Sequence, residues 1–158
     1  MHKALKRRIR LLLNLWPPFL GAGIRVTRFD SDWRSIDVEM KLRFWNANYV
    51  GTHFGGSLYS MTDPFYMLML IENLGVDYIV WDKSASIRFR KPGQGKMRAE
   101  FRLLPERIED IRRQLGSTDR FETTFEVQVR DQNQVVIAEV SKVLHVRKKP
   151  PSALGGKA

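Results

Sequence analysis

The stretch that decides the fold runs from Asn48 to Leu74, NYVGTHFGGSLYSMTDPFYMLMLIENL. It opens with Asn48, Gly51, Thr52, Gly55 and Gly56, polar and glycine residues suited to a turn that brings backbone close to a ligand. An apolar run follows. Leu58, Met61, Phe65, Leu68, Met69 and Glu72 fall at helical spacing on one face, and Tyr59, Tyr66, Met67 and Leu70 cover much of the other. A helix that is apolar on nearly every side is a buried one. Asp63 is the carboxylate in its middle, and a buried carboxylate is costly unless paired or used. That makes Asp63 the candidate for chemistry. Pro64, next to it, removes a helical hydrogen bond and predicts a kink.

Working outward, the chain on both sides of this helix alternates as strands do. A short strand is expected over 24–29. Ile36, Val38, Met40, Leu42 and Phe44 then alternate with Asp37, Glu39, Lys41 and Arg43, giving one dry and one wet face. Beyond Gly75, a plausible helix stop, a long strand covers 78–90. The turn KPGQG at 91–95 leads to another strand with Met97, Ala99, Phe101 and Leu103 on one side, and these two strands are expected to form a hairpin. A surface helix over 105–115 has Pro105 in its first turn. Strands over 121–129 and 135–146, joined by a tight connection at 131–134, form a second expected hairpin. At the start, residues 3–16 read as an amphipathic helix, with Leu5, Ile9, Leu12, Leu13 and Trp16 facing one way and Lys3, Lys6, Arg7, Arg8 and Arg10 the other. Pro17 and Pro18 are expected to end it, before a hinge at Gly21, Ala22 and Gly23. We read it as a helix packed on its own domain, with a membrane-surface or nucleic-acid arm as the lesser reading. The expectation is a single α+β domain over 1–147, about six antiparallel strands curved round one helix, and a disordered tail over 148–158. The helix is too apolar for one small sheet to cover, which points to pairing with a second subunit.

Composition bounds the function. The 158 residues include 43% hydrophobic ones, enough for a globular core. There is no cysteine, hence no disulfide framework or thiolate metal site, and a reducing, cytoplasmic setting is the simplest reading. His2, His53 and His145 lie far apart without ligand spacing, so no metal is expected. No apolar run reaches the roughly eighteen residues of a membrane span. The leucines after the basic N-terminus are too short a run for a secretion signal, and Asn14 interrupts them. A net charge of +10 attracts polyanions such as nucleic acid, anionic lipid or coenzyme A. No zinc finger, helix-turn-helix or basic strand face with stacking aromatics is present, so specific nucleic-acid binding is not expected.

The order of elements, together with Asn48, Gly51, Gly55, Gly56 and Asp63, resembles the hotdog-fold superfamily over roughly residues 20–147. More narrowly it resembles the branch that includes the phenylacetate-pathway acyl-CoA thioesterases, and within it a thioesterase-like subgroup. The resemblance implies a curved sheet round a central helix and assembly into a homodimer or homotetramer. It also implies hydrolysis of an acyl-CoA thioester, with coenzyme A as part of the substrate and no separate cofactor. Catalysis would fall to Asp63 as general base or nucleophile, Gly55 as backbone oxyanion donor and Asn48 as orienting amide. Gly56 would widen the approach, and Arg88, Arg90 and Lys91, near the KPGQG turn, would bind phosphates. Three positions depart from the branch's pattern. Phe54 stands where relatives have histidine, His53 is one place early and points differently, and Met67 replaces a hydroxyl found in some relatives. A dehydratase would need an acidic residue just before His53, which is absent. The alternative from another class is a non-catalytic acyl-CoA or lipid-binding module.

Overall fold

A computed structural model describes residues 3–150, with side chains from Arg8 onward. Part of the expected tail, residues 151–158, lies outside the described residues, as do the first two residues. The elements in chain order are α1 (Lys3–Leu15), α2 (Pro17–Ala22), β1 (Ile24–Phe29), β2 (Ser35–Lys41), α3 (Gly55–Ser60), α4 (Phe65–Leu74), β3 (Tyr78–Phe89), β4 (Lys96–Arg102), α5 (Pro105–Ser117), β5 (Arg120–Asp131) and β6 (Val136–Lys148). The six strands form one antiparallel sheet in the order β1-β2-β4-β5-β6-β3. Its dry face holds Val38, Met40, Met97, Ala99, Phe101, Val127 and Val140, and packs round α3 and α4. Phe65 lies between Phe19 and Phe101, at ring separations of 5.8 and 4.8 Å, and Tyr66 stacks on Phe125 at 4.5 Å. These aromatic contacts join both halves of the sheet to the helix.

The central helix is two pieces, and Pro64 marks the break. Residues 61–64 separate α3 from α4, because proline at 64 has no N–H to return to the preceding turn. Burial does extend to almost every side: Leu58, Met61, Thr62, Phe65, Tyr66, Met69, Leu70 and Leu74 are all inside, leaving Ile71 and Glu72 in solvent.

Four expectations need correction. The strands over 78–90 and 97–103 are not a hairpin. β3 pairs with β6 along its whole length, from Tyr78 with Lys148 to Phe89 with Ala138, whereas β4 lies between β2 and β5. Alternation reveals which face of a strand is dry, not which strand is its neighbour. Residues 90–95 are a crossing segment, tied to β6 by Arg90 and Lys91 N–H on the Ile137 carbonyl, to the loop before α3 by His53 N–H on Gly93, and to the end of β2 by Leu42 N–H on Gly95. Secondly, Pro17 and Pro18 begin a short second helix as well as ending the first, since proline suits a first helical turn. The supposed hinge is its last turn, closed by Gly23 at φ 74°. Thirdly, β2 stops at Lys41, and Phe44 and Trp45 project into solvent. Fourthly, β6 continues through Lys148, and Lys149 N–H bonds to the Asp77 carbonyl, so the chain stays ordered past the expected start of the tail.

The two sheet edges are treated differently. On β1, Asn14 of α1 takes the place of a neighbouring strand: its side chain accepts from Val26 N–H at 2.7 Å and donates to Val26 O at 3.2 Å. Among the described residues no strand pairs with the outer edge of β3, and Ser84, Ala85, Ser86 and Phe89 are exposed along it. An open edge of twelve residues is a template for another strand.

Candidate active site

Asn48 shapes the loop that leads into α3. Its Oδ1 accepts from the N–H groups of Val50 and Thr52 at 3.1 and 3.0 Å, and its Nδ2 donates to Thr52 Oγ1 at 2.9 Å and to His53 O at 3.3 Å. All four hydrogen-bonding positions of the amide are thereby used. Asn48, expected to orient the water or the substrate carbonyl, clasps its own loop in this way, and the loop turns through Gly51 at φ 78°, where a side chain would be strained. Phe54, extended at φ −63° and ψ 129°, precedes the first turn of α3. Ser57 and Leu58 both return N–H to Phe54 O, and the N–H groups of Gly55 and Gly56 belong to the unpaired first turn of the helix. Gly55 lies close under an aromatic ring: a Cβ there would sit 3.0 Å from Phe89 Cζ, the end of an exposed side chain that can give way by a few tenths of an ångström.

A groove of about 630 Å³ opens beside this turn, between the loop and the crossing segment. Asn48, Gly55, Arg90 and Lys91 line it together with His53 and Phe89. Gly56, Arg88 and Asp63 are not among its lining residues. Gly56 is screened by the Phe54 ring, which a Cβ would strike at 2.4 Å. Arg88 is exposed on β3. Arg90, at the groove, has its guanidinium on Glu139, with Nε at 2.8 Å and Nη2 at 2.6 Å from the same oxygen.

Asp63 stands elsewhere, in the break between α3 and α4, and it is half-exposed where the sequence predicts burial: its side chain keeps 45% of its accessible surface. Lys142 of β6, completely buried, reaches it. The ammonium donates to Asp63 Oδ1 at 3.1 Å, to the Asp63 carbonyl, and to Asp82 Oδ2 of β3 at 3.0 Å. Three donors thus meet three acceptors. Tyr59, one turn before Asp63, completes the cluster. Its ring lies 5.7 Å from Lys142 Nζ, and burial plus a hydrogen bond to Asp63 push its hydroxyl up to about 12, so it stays a donor at neutral pH. Burial raises the Asp82 carboxyl above its usual range, an effect that Lys142 opposes. One of its oxygens is buried without a partner.

A family described as a domain of unknown function (DUF4442) matches residues 6–146. The chain belongs to that family. No curated protein matches the sequence at a significant level. Among solved structures, this DUF4442 chain is similar to a Pseudomonas aeruginosa protein of unknown function described as "Probable Thioesterase", at 23% identity and a TM-score of 0.79, over 94% of this chain and 97% of the other. It is also similar to a thioesterase from Haemophilus influenzae, at 14% identity and a TM-score of 0.66 over 90% of both chains. A third is the E. coli PaaI protein from the phenylacetic acid degradation operon, at 13% identity and a TM-score of 0.61, over 91% of this chain and 92% of that one. At such identities the likeness establishes the fold, which is the hotdog fold that the sequence resemblance implied.

His53, the histidine one place early, does not replace the missing one. It is 2% exposed, and its Nε2 lies 3.0 Å from the Gly95 carbonyl, which fixes the proton on that nitrogen. Burial holds its pKa below the usual histidine value. It therefore pins the crossing segment as a neutral ring. Lys142 is absent from the sequence candidates although a signal for it exists. Val140, Lys142, Leu144 and Val146 fall on the dry face of an alternating strand, and a lysine at such a position requires a buried counter-charge. Among the described residues, no group of three or more histidines and carboxylates is placed to hold a metal ion. No described helix is long and apolar enough to cross a membrane.

Proposed function

We propose that this DUF4442 chain hydrolyses an acyl-CoA thioester at a site shared between two subunits, with the groove and Gly55 of one protomer meeting Asp63 of the other. The observation that carries this reading is the position of both features on one open strand. The C-terminal end of β3 leads into the groove through Phe89, Arg90 and Lys91, and its N-terminal half carries Asp82, which shares Lys142 with Asp63. From Asp82 to Phe89 an extended strand covers roughly 23 Å, at about 3.3 Å per residue. Asp63 itself is eight residues from Gly55 along α3 and its break, about 12 Å at 1.5 Å per helical residue, so one chain's carboxylate does not reach a carbonyl held at its own Gly55. Two copies joined edge to edge and antiparallel through β3, about a two-fold axis, would set the end of one strand beside the first half of the other. Such a homodimer, or a tetramer of two, would also cover the exposed Trp81 and Phe89.

In this site the thioester carbonyl enters the groove with its oxygen toward the Gly55 N–H. Asp63 of the partner protomer takes a proton from water as the water oxygen attacks the carbonyl carbon, and the Gly55 amide donates to the developing oxyanion. Collapse of the tetrahedral species breaks the carbon–sulfur bond. Coenzyme A leaves as the thiolate and is protonated, and the acyl group departs as a carboxylic acid. Tyr59 and Lys142 keep the Asp63 carboxylate in one orientation, while Lys91 and Arg90 at the groove mouth suit the phosphates of coenzyme A. The thioesterase names borne by the Pseudomonas and Haemophilus proteins of the same fold support this class of reaction.

The test is release of free coenzyme A, followed with a thiol reagent, across aliphatic and aryl acyl-CoAs. Turnover of at least one class is the expected result. Saturable binding across the panel without thiol release would instead establish a non-catalytic acyl-CoA-binding module.

A further inference from the structure

Helix α1 is amphipathic, yet much of its apolar surface faces away from the domain. Ile9 and Leu13 pack toward the core and Asn14 bonds to β1, whereas Leu11, Leu12 and Leu15, followed by Trp16 and Leu20 at α2, keep between 44% and 69% of their surface in solvent. The apolar area extends beyond the helices. Leu11, Leu15 and Leu20 line a groove of about 650 Å³ together with Trp45, whose ring packs edge-on against the exposed Phe44 at 5.0 Å. Leucines and tryptophans gathered on one outward surface form a patch of the kind that marks an interaction site.

The charges round this patch are mostly positive. Through Phe29 the sequence holds seven lysines and arginines and no acidic residue. Arg8 and Arg10 are exposed on α1, and Arg25, Lys41 and Arg43 stand in the groove with Trp45. Glu39, the groove's acidic residue, is paired with Lys96 at 3.6 Å. We propose that α1, α2 and Trp45 form a docking surface for an anionic lipid bilayer, leucines and tryptophans entering the headgroup region and the flanking cations meeting lipid phosphates. A second copy of the chain fits less well, because a two-fold contact would set these cations against their own images. The surface adjoins β1, at the opposite edge of the sheet from β3, so edge pairing through β3 leaves it free. The inference does not depend on the hydrolytic reading.

The test is co-sedimentation of the full chain with vesicles of phosphatidylcholine alone or mixed with phosphatidylglycerol. Binding to the anionic vesicles is expected, with little to the neutral ones and less as salt rises. The double variant Leu12→Ser, Leu15→Ser should weaken partitioning about tenfold or more, and Arg8→Glu with Arg10→Glu should do so as well. Circular dichroism and gel filtration of the same variants check that the fold and assembly persist. No binding to anionic vesicles would overturn the proposal, as would binding that the leucine substitutions leave unchanged. Loss of a wild-type oligomer in the leucine variant would assign the face to a second copy and overturn it too. Salt-sensitive retention of oligonucleotides that exceeds vesicle binding, and that the leucine substitutions do not alter, would do the same in favour of nucleic acid.

Discussion

Asp63→Asn lowers acyl-CoA hydrolysis by about a thousandfold, within the range that a positioned general base contributes, and leaves the folded protein intact. Asparagine preserves an oxygen at the Oδ1 position, so the contact with Lys142 at 3.1 Å survives as a hydrogen bond from the ammonium to a neutral acceptor. Lys142 also keeps Asp82 as a full counter-charge at 3.0 Å. Removing one of two carboxylates round a single ammonium brings the cluster to one charge of each sign, so thermal stability should hold while turnover collapses. The separation of these two effects gives the substitution its value. Steady-state kinetics and a melting curve on the same preparation measure both. Wild-type turnover in the Asp63→Asn protein would remove the carboxylate from the chemistry.

Lys142→Met is expected to destabilise the protein by about 3 kcal/mol, the usual consequence of taking one partner from a buried ion pair. The lysine is wholly inside, so the methionine fills similar volume without a charge, and Asp82 is left partly buried with no cation to offset its desolvation. The loss depends on pH in a defined direction. Burial already raises the folded-state pKa of Asp82 above its unfolded value, and without Lys142 it rises further. A carboxyl raised in the folded state costs stability as pH climbs through the interval between its unfolded and folded pKa values. The variant should therefore be weakest at neutral and alkaline pH and recover toward wild type on acidification. Adding Asp82→Asn should restore part of the loss at neutral pH, since the stranded charge is then gone, and a double-mutant cycle by chemical denaturation measures that coupling. Equal destabilisation at pH 5 and pH 8, or no coupling with Asp82, would mean that the lysine contributes only packing.

The difference between what sequence pattern reveals and what it conceals is visible in particular residues. Alternation locates every strand to within a few residues, because side-chain direction along a strand depends only on the chain itself. The same alternation cannot say that β3 lies beside β6, since both edges of a strand look alike from its own residues, and the expected β3–β4 hairpin failed for that reason. The break at Pro64 is local chemistry and is legible. The half-exposed state of Asp63 is not, because it depends on which side of a broken helix faces the open edge strand. Asn48, Gly55, Arg90 and Lys91 line one groove, and the Asn48 amide spends its hydrogen bonds on its own loop, which no sequence pattern reveals. Lys142 is set apart in the sequence by its dry-face position and by nothing else. Its partners are 79 and 60 residues away, and no local pattern joins them.

The claim on which the mechanism rests is that Gly55 and Asp63 serve one site from different protomers. Gly55→Pro removes the N–H with little cost to the backbone. Position 55 begins α3, where proline is well tolerated, and Phe54 already has the extended conformation that a following proline demands. Mixing denatured Gly55→Pro and Asp63→Asn proteins, each inactive alone, and refolding them together is the most direct measurement. In a shared site every mixed dimer holds one intact pair, so coenzyme A release should return to about a quarter of the wild-type rate after random reassociation of a two-fold dimer. Mixed dimers that form and remain inactive would contradict a shared site.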